Sequence, residues 1–247
     1  MKTLIKAFTA VAILSAGMSS AMAGDTPLTW ELDNKSNLSG TVYAGSQQLS
    51  DNYGWNYNTS VGGLNLNVTA WANFQDGVKQ VAVGTWANNG MGVLNQSNDQ
   101  HVIDNYGKSD FLLFSFSEAV KITDINIGWV TDGKGSDVSI ANFDSLNGVD
   151  NSSWSTVVDS AIYHTSFANV ANTQPDLGVF EEAQYWLIGA YNNVFGGSSQ
   201  NGYDKFKLLA LTTHSANEEP PVDVPAPGTA ILLTLGVGLI ALRRRQK

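Results

Sequence analysis

Along the middle of the chain, apolar residues recur mostly at every second position. Clusters of Asn, Gly, Ser and Asp interrupt them about every ten residues, a pattern that predicts short strands joined by tight turns. The clearest case is 64–71, where Leu64, Leu66, Val68 and Ala70 alternate with Asn65, Asn67, Thr69 and Trp71, so that only the first set faces a core. Further strands are expected at 29–32, 40–44, 80–87, 110–117, 120–130, 137–143, 185–191 and 203–212. Within 120–130 the apolar set changes phase, from Val120 and Ile122 to Ile125, Ile127 and Trp129, and a β-bulge around Asp124 keeps both sets on one face. One helix is expected over 155–164, where Asn151, Ser152 and Ser153 offer an N-cap and Val157, Val158, Ala161 and Ile162 follow at helical spacing. Many short strands, closed by 203–212, point to an all-β fold: a single jelly-roll-like β-sandwich over 24–214.

The two ends depart from this pattern. Lys2 and Lys6, an apolar stretch over 7–16 and the small-X-small site Ala21-Met22-Ala23 have the build of a secretory signal peptide, 1–23, with Gly24 as the first mature residue. After the ectodomain, 215–224 reads as an extended acidic and proline-rich linker with Glu218, Glu219, Pro220 and Pro221. Then come Pro225-Ala226-Pro227, an uncharged apolar run over 229–242, and Arg243, Arg244 and Arg245, the only arginines in the chain. A cationic cluster directly after an apolar helix stays on the cytoplasmic side, which puts the body of the protein across the membrane. As a helix at ~1.5 Å per residue the run spans roughly 21 Å, short of the ~30 Å hydrocarbon core. It is a poor permanent anchor, although snorkelling arginines and local thinning compensate. An ordinary single-span anchor and a core helix are the other readings of the same run.

A Pro-X-Pro motif, a short transmembrane helix and a closing arginine cluster resemble the PEP-CTERM sorting signal of Gram-negative bacteria. The resemblance covers 225–247 and implies processing by an exosortase, a membrane transpeptidase. Pro225, Ala226 and Pro227 would then be the recognition motif and Arg243 to Arg245 the membrane stop, with the helix and arginines discarded after cleavage nearby. The family's middle glutamate is Ala226 in this chain, which leaves a variant sorting enzyme, or none, to read it. A second, looser resemblance spans about 45 residues of the ectodomain. The turn His101-X-X-Asp104-Asn105, the apolar strand after it, Gly128-Trp129 and Asp137-Val138-Ser139-Ile140 are similar to the ectodomains of some exosortase-dependent surface proteins, which implies a secreted β-domain.

Charge sharpens the picture once the two signals are set aside. Only seven of the 13 basic residues lie between them, together with all 22 carboxylates, so the exported part carries a formal charge of −15. Such a surface repels nucleic acid and favours cations, with calcium as the candidate cofactor. There is no cysteine, which excludes disulfides, thiolate catalysis and Cys-based metal sites. The densest polar segment is 101–110, where Asp104, Asn105 and Asp110 offer oxygens for calcium and Gly107 a tight turn; an Asx-turn at Asp104-Asn105 and a satisfied edge histidine at His101 are the plainer reading. The loop 132–137 is a weaker second calcium candidate, with a hairpin turn as its alternative.

Three function classes follow. The first is a non-enzymatic exported protein of the cell surface or extracellular matrix. Its partners would be the translocon, signal peptidase, an exosortase-type transpeptidase, the inner membrane and extracellular polysaccharide. The second is a carbohydrate-binding module or adhesin delivered by the same signal, with Trp55, in a polar loop, and Trp71, opposite the Leu64 set, as sugar platforms. The third, a glycoside hydrolase, needs carboxylates brought together from afar; His101, His164 and His214 have no metal spacing and Glu181-Glu182 would point to opposite faces of a strand.

Overall fold

A computed structural model describes residues 27–44, 46–95, 101–131, 135–146, 148–171, 177–197, 199 and 202–215. All of them belong to one compact unit, Asp25–Asn217. The expected signal peptide, linker, sorting motif, apolar run and arginine cluster lie outside the described residues, apart from Ser215 of the linker, which ends the last strand. No helix among the described residues is long and apolar enough to cross a membrane.

The strands are β1 (Leu28–Glu31), β2 (Leu38–Ser39), β3 (Tyr43–Ala44), β4 (Gln47–Gln48), β5 (Tyr53–Gly54), β6 (Asn56–Val61), β7 (Leu64–Phe74) and β8 (Gly77–Trp86). They continue as β9 (Gly90–Leu94), β10 (Ile103–Asp104), β11 (Asp110–Val130), β12 (Ser136–Phe143), β13 (Tyr163–Val170), β14 (Ala183–Ala190) and β15 (Lys205–Ser215), with one short helix, α1 (Trp154–Val158). The fold is all-β, as the alternation of the sequence requires.

Its architecture differs from the expected jelly-roll sandwich. The antiparallel path β11–β15–β9–β8–β7 returns to β11, so five strands close into a barrel. From this ring β14, β12 and β13 extend in that order, while β6 and β2 continue from β7. Closure depends on β11, whose first half pairs with β7 (Asp110↔Ala72 to Phe116↔Leu66) and whose second half pairs with β15 (Val120↔Ser215 to Val130↔Phe206). The expected bulge is there: the β11–β15 register shifts between Ile122 and Asp124, leaving Ile122, Ile125 and Ile127 buried, but Trp129, expected on the same face, is exposed. Two more shifts follow, at Asn126/Ile127 and Ile127/Trp129. Each adds local twist, in the direction that the curvature of a closed ring requires.

Two apolar cores result. The main one gathers Leu66, Val68 and Ala70 of β7, Leu112, Phe114 and Phe116 of β11, Phe206 and Leu208 of β15, and Ile140 and Trp186 of the extension. The second lies on the opposite face of the extension, where Phe111, Leu113, Phe143 and Leu187 pack against Trp154, Val157 and Val158 of α1 and against Phe195. Phe111 stacks on Phe195 at 4.5 Å between ring centroids. β12 is therefore buried at all eight positions, as expected for a strand covered on both faces.

The helix is shorter than expected. Ser153 caps it by accepting the Thr156 N–H at 3.1 Å. It stops because Asn142 draws the chain back into the sheet: its main-chain carbonyl accepts the Ile162 N–H and its side-chain oxygen accepts the Tyr163 N–H. Residues 163–170 then form β13.

Candidate functional site

The polar segment 101–110 folds as a turn leading from β10 into β11, and its side chains are engaged by the chain itself. Asp104 Oδ1 accepts the Tyr106 N–H at 2.9 Å, the Asx-turn of the plainer reading. Asp110, fully buried, accepts from Asn95 Nδ2 at 2.7 Å and from the Asp104 N–H at 3.5 Å. Asn105 points its amide NH2 at the Tyr191 carbonyl and at Asp204 Oδ2, and its oxygen accepts the Asp204 N–H. Among the described residues, no three His, Asp or Glu side chains are grouped to hold a metal ion. In the second calcium candidate, 132–134 lie outside the described residues; Asp137 is buried at the start of β12 and accepts the Asn169 N–H at 2.9 Å.

Sequence reasoning missed Asp204. Its Oδ1 accepts the Asp137 N–H at 2.7 Å, so one carboxylate ties the start of β15 to the start of β12 and, through Asn105, to the turn after β10. Burial, and then the nearby Asp137 charge, push its pKa up to about 6. Beside it two exposed rings, Tyr106 and Tyr203, meet edge to face at 5.1 Å. His101 is a packed residue: it stacks on Trp86 at 5.7 Å and meets Tyr53 edge-on, while Lys207 Nζ lies 3.7 Å from the Trp86 ring centroid.

The two sugar-platform candidates separate. Trp71 does face away from the Leu64 set, but that side is covered: it packs against the second core and its Nε1 donates to Thr69 Oγ1 at 2.8 Å. Trp55 is 38% exposed and stands at a groove of about 300 Å³ between the β3–β4 hairpin and strands β8 and β9. Tyr43, Leu49, Gln80 and Asn95 line it with Trp55, over a floor that includes Val42, Val81 and Ala82. A second groove of about 460 Å³, on the Lys35 and Asp51 side of the hairpin, shares Val42 and Leu49 with the first.

The chain matches no protein-family model, no curated protein and no solved structure.

Proposed function

We propose that this chain is an exported, non-enzymatic protein of the bacterial surface or extracellular matrix, held at the inner membrane by its C-terminal segment until an exosortase-type transpeptidase cuts and transfers it. The observation that carries the reading is the sequence of segments at the C-terminal end: a prolyl motif at 225–227, an apolar run of 14 residues and three consecutive arginines, preceded by an acidic, proline-rich stretch. A signal-peptide pattern over 1–23 gives the same topology independently.

The use of the carboxylates supports the non-enzymatic part. Asp104 and Asp110 accept main-chain N–H groups within the 101–110 turn, and Asp137 and Asp204 accept them across strands, so these four are engaged by the chain itself where a hydrolase would aim paired acids at a substrate. Mass spectrometry of the protein isolated from its native envelope tests the reading. The expected C-terminus lies within or next to 225–227, with no peptide from 229–247. An intact Lys247 on protein recovered from the cytosol overturns it.

A further inference from the structure

We infer that the groove between the β3–β4 hairpin and strands β8 and β9 binds a neutral polysaccharide chain, with Trp55 and Tyr43 as its stacking faces. The inference goes beyond the sorting reading and does not depend on it.

Trp55 is held rigidly at the surface. Its main-chain N–H donates to the Ser39 carbonyl at 2.8 Å, its indole Nε1 donates to the Thr41 carbonyl at 3.1 Å, and its own carbonyl accepts Gln80 Nε2 at 2.9 Å. Gly40, at φ +85°, lies against the ring, where a Cβ would come within 2.9 Å of the indole. The ring is thus fixed in plane and position while 38% exposed, and Tyr43 beside it is 58% exposed. A tryptophan that serves only the core gains by burying its whole surface; one locked in place and left open is a preorganised face for a ligand.

The lining selects the ligand class. Flat aromatic faces suit the C–H face of a pyranose ring, and Gln80 keeps further donor and acceptor capacity after its one bond to Trp55. Among the described residues no charged side chain lines this groove, whereas the groove across the hairpin carries the Lys35–Asp51 pair. Residues 24–224 carry a formal charge of −15, so an anionic chain is repelled, which leaves neutral sugar polymers.

Titration calorimetry of the full chain with cellohexaose, maltohexaose and mannohexaose, and with hexagalacturonate as the anionic comparison, tests this. At least one neutral hexamer binds and the anionic one does not. Tyr43→Ala and Trp55→Ala each weaken binding roughly three- to tenfold, and the double variant Tyr106→Ala/Tyr203→Ala, which alters the other exposed ring pair, binds like the parent. Tyr43 is exposed enough for its removal to leave the hairpin standing if Trp55→Ala does not. Absence of binding to all three neutral hexamers, parental affinity in Tyr43→Ala, or equal binding of hexagalacturonate overturns the inference. The mature C-terminus is measured separately, so such a failure leaves the sorting reading intact.

Discussion

Asp204 shows how a buried carboxylate can organise a fold and penalise it at the same time. It accepts two hydrogen bonds, from the Asp137 N–H and Asn105 Nδ2, yet burial and the Asp137 charge lift its pKa to about 6. A folded-state pKa above the unfolded value near 3.8 means that the native protein binds more protons than the unfolded chain between those two values. Stability from this group therefore rises as pH falls through about 6 and is lost again as pH climbs past it. Asp51 and Asp76 act in the opposite sense, each lowered by a lysine, but both are fully exposed and screened. The expected outcome is that the melting temperature at pH 5 minus that at pH 7 is more positive for the parent than for Asp204→Asn; equal differences refute the assignment. None of this was legible from the sequence, because Asp204 acquires its role from partners 99 and 67 positions away. The Asx-turn at Asp104 was legible, since its partner is two residues on.

At the level of elements, β11 is the strand on which the barrel turns, and its key irregularity can be read from sequence. Ile122 and Ile125 lie three apart, which no regular strand puts on one face, yet both are buried; Ile122 pairs with Thr213 and Asp124 with Thr212, so Thr123 is the extra residue. Deleting Thr123 leaves Ile122 and the former Ile125 two apart and still inward. The product should fold, at the cost of an ordinary single change, about 1–2 kcal/mol, or a melting temperature lower by roughly 2–8 °C. Deleting Thr69 from β7, a regular strand, instead turns Leu64, Leu66 and Val68 out of the core and should give no cooperative melt in the same calorimetric scan. A Thr123 deletion as damaging as the Thr69 deletion would show that the bulge is indispensable to closure. Strand β6 escaped sequence reading because Asn, Thr and Ser leave only Tyr57 and Val61 as apolar positions, β9 because Gly90–Leu94 is five residues long with two glycines, and β13 because its start falls within the helix expected over 155–164 and its remaining apolar positions, Phe167, Ala168 and Val170, do not alternate regularly. They hold their places by pairing with better-patterned neighbours, β7, β8 and β12.

For the molecule as a whole, alternation identifies the inward face of a strand but does not say whether its other face meets water or a second core. Trp71 illustrates this, as do Phe111, Leu113 and Leu187, which pack under α1. Barrel closure is likewise a property of pairings such as Phe111↔Trp71 and Ile125↔Leu211, set far apart in the chain, so the all-β class was legible and the ring was not. Both cores have to work against a strongly one-signed surface. Residues 24–224 carry a formal charge of −15, and Lys35–Asp51 at 2.7 Å and Lys79–Asp76 at 2.5 Å are surface pairs of the kind that contribute only about 0–1 kcal/mol. Repulsion among the remaining carboxylates is then the larger long-range electrostatic effect, and it opposes the compact state. Sodium chloride shortens the screening length from roughly 20–30 Å near 0.01–0.02 M to about 10 Å at 0.1 M, damping this repulsion while removing little from the two exposed pairs. The melting temperature at pH 7 should therefore rise between 20 mM and 150 mM NaCl. A fall would mean that attractive pairs outweigh the acidic surface, and that the charge imbalance invoked to exclude anionic polysaccharides from the Trp55 groove is compensated in the folded protein.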